Sequence, residues 1–183
     1  MAIPAIDSYP MPTERDLPTN LVNWRISPRR AVLLVHDLQQ YFLQPFGSGW
    51  SPLTDLLGNA ASLRSRFTDL GVPIAYTAQP GGMTPDERGL LADFWGPGMS
   101  RDPEHRRIVA KVAPAPSDKV LTKWRPSAFH RTGLLEWMRE QGRDQLVICG
   151  VYAHVGILMT AHDGFSHDIQ TFVVADAIAD FTP

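Results

Sequence analysis

Five short apolar runs, separated by stretches with helical spacing, constrain this chain more than any other feature of its sequence. They are RAVLLVHD (30–37), VPIAYTAQ (72–79), DKVLTKW (118–124), DQLVICG (144–150) and IQTFVVADA (169–177). The first is apolar without alternation and ends in polar residues, as a central parallel strand covered on both faces does. Between the first two runs, Leu56, Leu57, Ala60, Leu63 and Phe67 recur at helical spacing after Pro52, and Gly71 supplies a stop. GLLEWMREQG (133–142) and VGILMTAHDGFSHD (155–168) read as two further helices, and one more is expected around Asp86–Phe94 inside a Gly/Pro-rich excursion from Pro80 to Pro116. Strands that alternate with helices in this way make βαβ units. The expected fold is therefore a three-layer α/β/α sandwich around a mostly parallel sheet. Residues 1–29, rich in Pro and polar side chains, read as an extended arm anchored by Tyr9, Leu17, Leu21 and Trp24 on the core or on a neighbouring subunit.

With 183 residues, 44% of them hydrophobic, the chain can bury one sizeable core but not two ordinary ones. The expectation is a single domain over 1–183. Net charge is −2 with no basic stripe, which makes nucleic acid and anionic membranes poor partners. Cys149 is the only cysteine, so an internal disulfide is excluded and a reducing cytoplasm is the expected setting. The N-terminus lacks the basic and apolar regions of a signal peptide, and no apolar run is long enough to span a bilayer. G-x-S-x-G, the P-loop, G-x-G-x-x-G after the first strand and H-E-x-x-H are all missing. His105, His130, His162 and His167 lack ligand spacing, so neither a cofactor nor a metal is expected.

In an open parallel sheet, ligands collect at the carboxyl ends of the strands. Here those ends carry His36-Asp37, Ala78-Gln79, Lys123-Trp124, Gly150-Val151-Tyr152 and Asp176. Taken singly, each has an ordinary explanation as a cap, a loop hydrogen bond, a surface lysine, a rim aromatic or a turn former. Together they would bring an acid, a base and an amide to one edge. Cys149 precedes the helix that follows it and sits in an apolar strand, where a free thiol is a small buried hydrophobe and not a nucleophile. A lone His154 near a helix start is more often structural.

The segments AVLLVHDLQQYF, YTAQPGGM, DFWGPGM, LTKWRPSAFHRTGL, DQLVICGVYAHVGILMTA and VVADAIADF together resemble the isochorismatase-like hydrolases, and among them the true isochorismatases of siderophore and phenazine pathways. The resemblance runs in order from about Ile3 to the last residue. It implies that Asp37 and Lys123 match two members of the Asp–Lys–Cys triad of the amidase branch. Gly156 falls where that branch has its cysteine, and the histidines with which nicotinamidases hold a metal are missing from PGGMTPDERG. The implied reaction is hydrolysis of the vinyl ether of isochorismate or 2-amino-2-deoxyisochorismate to release pyruvate. It would proceed by protonation of the terminal methylene from Asp37, which must then be protonated near neutral pH. Lys123 would hold Asp37 and pair with a substrate carboxylate.

By the same resemblance Gln79 and Arg88 orient substrate, Phe42 and Trp95 form an apolar wall, and Val151-Tyr152 is a non-proline cis peptide. Gly156 makes room for the enolpyruvyl group. Pro126 stands where close relatives commonly have Tyr, removing an N–H donor and an aromatic from beside Lys123. Relatives continue past ADF with another helix and strand, and a homodimer is expected. An amidase and a non-catalytic scaffold are the competing readings; Gly156 argues against the first, and the joint presence of Asp37, Gln79, Arg88 and Lys123 against the second.

Overall fold

Every side chain of the run Ala31–His36 is buried, and this run forms β1, the middle strand of the sheet. The computed structural model describes residues 3–183. After β1 come a single helical turn, α1 (Gln40–Leu43), and the long helix α2 (Leu53–Asp69), then β2 (Ile74–Ala78). Three short helices follow, α3 (Pro85–Arg88), α4 (Leu91–Trp95) and α5 (Pro103–Arg106), before β3 (Lys119–Thr122). The rest is α6 (Leu134–Glu140), β4 (Gln145–Val151), a π-type turn over Ala153–Ile157 that leads into α7 (Leu158–Ser166), and β5 (Gln170–Ala179). The strands lie in the order β3-β2-β1-β4-β5 and every pair is parallel.

Alternate residues of the buried strands feed two cores. Leu33 and Val35 of β1 join Val147 and Cys149 of β4 against Leu56, Ala60 and Phe67 of α2. Val32, Leu34, Leu146 and Ile148 face the other way, against Leu134, Leu135 and Met138 of α6 and Ile157. Helices thus cover both faces of one sheet, the three-layer α/β/α arrangement expected from the alternation of runs. Past the end of α2, Gly71 adopts φ 65°, Gly71 N–H donates to Thr68 O and Val72 N–H to Phe67 O, so the last carbonyls are satisfied in a Schellman motif.

Four details depart from the sequence reading. The helix expected over Asp86–Phe94 is two helices, because the Thr84–Glu87 capping box closes one turn and Gly89, at φ 52°, breaks it from the next. The helix expected from Val155 begins earlier, in the π-type turn at Ala153. Asp176 does not end a strand: β5 runs on to Ala179 through a register shift against β4, which leaves the Asp176 side chain outside and its carbonyl bonded to Asn59. In the arm, Tyr9 bonds the Asp180 backbone and Trp24 packs edge-on to Phe172, but Leu17 and Leu21 are exposed. Ile6 is the buried anchor in their place, bridging to Phe46.

The tightest backbone approach lies between the two central strands. Gly150 has φ 124°, and a Cβ there would overlap the carbonyl oxygen of His36 and lie 2.9 Å from its carbon. Backbone cannot yield as a flexible side chain can, so Gly150→Ala should destabilise the chain by about 3 kcal/mol or more, measured by denaturant unfolding.

Candidate active site

Three adjacent strands build the centre of the site. At the end of β1, Asp37 takes the left-handed conformation (φ 53°), unusual for a residue with a side chain. Its backbone N–H donates to Thr77 Oγ1 at 3.0 Å, and the same hydroxyl donates to Asp37 Oδ1 at 2.6 Å. Lys123 follows β3; its backbone N–H donates to Ala78 O, and its Nζ reaches Asp37 Oδ2 at 2.6 Å. Asp37, Thr77 and Lys123 are all buried. Thr77, on the strand between the other two, satisfies the carboxylate oxygen that Lys123 does not.

This arrangement fixes the charge of Asp37. Burial alone pushes its carboxyl upward, but the Lys123 ammonium, neighbouring His36 and the two side-chain hydrogen bonds together outweigh it and hold the group below the usual carboxylate range. The site therefore contains an ion pair and not the protonated acid that the reaction expected from the sequence requires. An acid at Asp37 has to be produced by what binds there.

Around this pair opens a cleft. All nine residues singled out from the sequence line it: Asp37, Phe42, Gln79, Arg88, Trp95, Lys123, Val151, Tyr152 and Gly156. Gln79 is held by its backbone, since Gln39 accepts from Gln79 N–H and donates to Gln79 O. Arg88, in the single turn of α3, donates from Nε to Gly96 O, and its guanidinium lies so close over Gly98 that a Cβ there would come within 2.7 Å of Cζ. The Val151–Tyr152 peptide is cis. Tyr152 donates to Phe42 O, and its ring sits 4.8 Å from that of Phe181, which in turn packs 6.0 Å from Trp95. Phe42, Tyr152, Phe181 and Trp95 make a continuous aromatic wall.

Some lining residues were not anticipated from sequence. Arg125 donates to the carbonyls of Glu87 and Trp124, tying the loop after β3 to the helix that carries Arg88. Tyr41, Met99 and Phe181 complete the wall, and Pro126, already singled out in the sequence, lines the cleft with Lys123. With Arg125 included, the charged lining is three cations, Arg88, Lys123 and Arg125, against one carboxylate. Such a site prefers an anion. Arg125 follows Lys123 at the end of a strand, and that position was the available clue.

Cys149 is buried, and burial pushes its thiol up to about 12, so it supplies no thiolate. His154 is bound to Asp180 through both its backbone N–H and Nδ1, a contact that caps the turn before α7.

Cleft and fold together define a three-layer α/β/α protein with a buried Asp–Lys pair at the strand ends and a glycine, Gly156, in the lining of its cleft. The Isochorismatase domain model matches residues 31–183, and the chain belongs to the isochorismatase family. It is 58% identical over 180 residues to the Phenazine biosynthesis protein PhzD1 of Pseudomonas aeruginosa, covering 98% of this chain and 86% of that protein. It is 54% identical over 182 residues to the Isochorismatase of Bacillus subtilis, covering all of this chain and 58% of that protein. Among solved structures, a cysteine hydrolase from Pseudomonas syringae superposes with a TM-score of 0.76 at 23% identity over 90% of this chain and 79% of that one, a likeness of fold.

One pH dependence follows from the site. Burial above all, helped by Lys123, lowers the His36 pKa from 6.5 to about 4, against the opposing pull of Asp37 and the Val151 and Pro126 carbonyls. Between those two values the unfolded chain binds the proton and the folded chain does not. The stability contributed by neutral His36 is thus complete above pH 6.5 and is lost as pH falls towards 4, by about 3 kcal/mol in all. The low Asp37 pKa acts with the same sign in the carboxylate range below. Unfolding titrations from pH 7.5 to 4.5 should show this decline, and His36→Asn should flatten it.

Proposed function

We propose that this chain hydrolyses the enolpyruvyl vinyl ether of isochorismate or of its 2-amino-2-deoxy analogue, releasing pyruvate and the ring alcohol. The observation that carries this reading is the buried Asp37–Lys123 pair at the base of a cleft whose other charges are the cations Arg88 and Arg125. A substrate with two carboxylates fits that excess of positive charge, and Arg88 suits a planar grip on one of them. The similarity to an isochorismatase and to a phenazine biosynthesis protein supports the same substrate class.

The free enzyme holds Asp37 ionised. A substrate carboxylate placed beside Lys123 competes for its ammonium and adds negative charge near Asp37, and both effects raise the carboxyl pKa. Protonated Asp37 then delivers its proton to the terminal methylene, giving an oxocarbenium ion at the ether carbon. Water adds there, its proton passes back to the Asp37 carboxylate, and the hemiketal collapses to pyruvate and the ring alcohol. Lys123 stabilises the carboxylate formed in the first step. Gln79 orients the substrate, the aromatic wall limits water, and Gly156 with the Val151–Tyr152 backbone lines the floor of the cleft. No covalent intermediate is needed. An amidase would need a nucleophile on the cleft, which Gly156 and the buried Cys149 do not offer.

The reading extends to a cytoplasmic homodimer built from one domain over residues 1–183 with residues 1–29 as its arm. Exposed Leu158, Met159 and Phe165 on α7, and Leu21 in the arm, are apolar surface available for a second subunit. No helix among the described residues is long and apolar enough to cross a membrane.

A coupled pyruvate assay with isochorismate and its amino analogue tests the proposal. Asp37→Asn should lower pyruvate release by roughly 1,000-fold while substrate still binds, since a positioned general acid contributes on the order of 100- to 10,000-fold. Near wild-type turnover by that variant would remove Asp37 from the mechanism. Cys149→Ala should keep its rate within about twofold; a collapse in a folded variant would return the chemistry to the thiol.

A further inference from the structure

Gly98 and Gly156 both line the cleft, and they are glycines for different reasons. Gly98 has φ +75°, a conformation that side chains disfavour, whereas the backbone at Gly156 has no such requirement. What excludes a side chain at 156 is a neighbour. A Cβ there would overlap Cε1 of the His36 imidazole and lie 2.9 Å from Nε2 and 3.2 Å from Nδ1. The ring stands where the side chain of residue 156 would be.

His36 has little freedom to make way. It is the last residue of the fully buried β1, and its Nδ1 lies 2.8 Å from Val151 O. A carbonyl can only accept, so Nδ1 carries the proton and Nε2 is the unprotonated nitrogen. Nε2 meets no partner at hydrogen-bonding geometry among the described residues, the Pro126 carbonyl acting on the ring only weakly, and its edge of the ring is the one turned to Gly156. A buried polar atom without a partner has a cost, so another feature must keep this residue in place. His36 also precedes Asp37 directly, and the carbonyl it binds belongs to the cis peptide on the cleft rim.

We propose that His36 is a positioning residue that forms one steric unit with Gly156. Its imidazole fills the space behind the cleft floor, holds the Val151 carbonyl, and thereby fixes both the depth of the pocket and the placement of Asp37. The inference deepens the vinyl-ether reading and rests on it for its kinetic part. It makes position 156 dependent on position 36: any side chain at 156, reactive or inert, requires the ring to leave.

His36→Asn separates the two roles, because the Asn amide can occupy the place of Nδ1 and donate to Val151 O while the Cε1–Nε2 edge disappears. Gly156→Ala alone should lower the melting temperature by several degrees (about 2–4 °C for each 1 kcal/mol in a chain of this size). It should also reduce kcat/KM by about tenfold or more, mainly through kcat, because displacing the ring moves Asp37. In the His36→Asn/Gly156→Ala double variant, melting temperature and kcat should both exceed those expected from combining the single effects. A recovery of about tenfold, or roughly 1.4 kcal/mol of coupling, is the expected size. His36→Leu, which occupies the space without donating, should fail to rescue Gly156→Ala. Independent effects in the Asn double variant, or equal rescue by Leu, would overturn the proposal. If the wild-type chain released no pyruvate, the substrate reading would fall, and the coupling in melting temperature would still decide whether the pair is a unit.

Discussion

The buried ion pair between Lys123 and Asp37 is the interaction on which the rest of the site depends. Removing two charges from water is costly, and such a pair persists only when further hydrogen bonds satisfy what the partners leave over. Here the sheet supplies them. β3, β2 and β1 are neighbours, with Thr122 level with Ala78 and Thr77 level with His36. That register puts the lysine, the threonine and the aspartate side by side at one edge. The left-handed turn at Asp37 lets its backbone N–H and its carboxylate meet the same Thr77 hydroxyl. Fold and protonation state are consequently linked: the arrangement that makes the buried charge tolerable also keeps Asp37 ionised.

This linkage gives the proposed reaction an order. A permanently protonated Asp37 could donate to carbon but would need an apolar surrounding, as a carboxylic acid kept neutral by burial does. In this cleft burial is opposed by a cation in contact, so the acid has to arise when substrate charge redistributes Lys123. Arg88 and Arg125 contribute by attracting a dianion, and the wall of Phe42, Tyr152, Phe181 and Trp95 limits the water that would screen these charges.

Much of this was legible in the residues alone, and the pattern of success has physical reasons. The continuous burial of β1 and β4 shows as unbroken apolar sequence, so the layer order follows from it. Asp37 and Gln79 close such runs and Lys123 stands one residue before the end of its own, and polar groups at strand ends in a parallel sheet share one edge. Resemblance added Arg88, Trp95, the cis peptide and the meaning of Gly156, none of which periodicity reveals. Thr77 is not legible in the sequence, because a hydroxyl inside a β-run is an ordinary strand residue until its partner is known. In the sequence His36 shows only as part of a strand end, since its constraint on Gly156 is a tertiary overlap between residues 120 positions apart in the chain. Asp176 was misplaced because the register shift in β5 lengthens that strand beyond what its composition indicates. The charge of Asp37 depended on a distance, and no sequence contains one.

The most direct measurement is the ionisation of Asp37 itself, followed by carbon NMR of the carboxyl in protein labelled at aspartate, with Asp37→Asn used to assign the signal. In the free protein the carboxyl should titrate below the usual range for aspartate. On saturation with a non-hydrolysable dicarboxylate analogue of isochorismate it should titrate at distinctly higher pH, as the ammonium of Lys123 turns to the ligand. A carboxylate whose titration is unmoved by the bound dicarboxylate would contradict the account, because the acid the reaction needs would then never form.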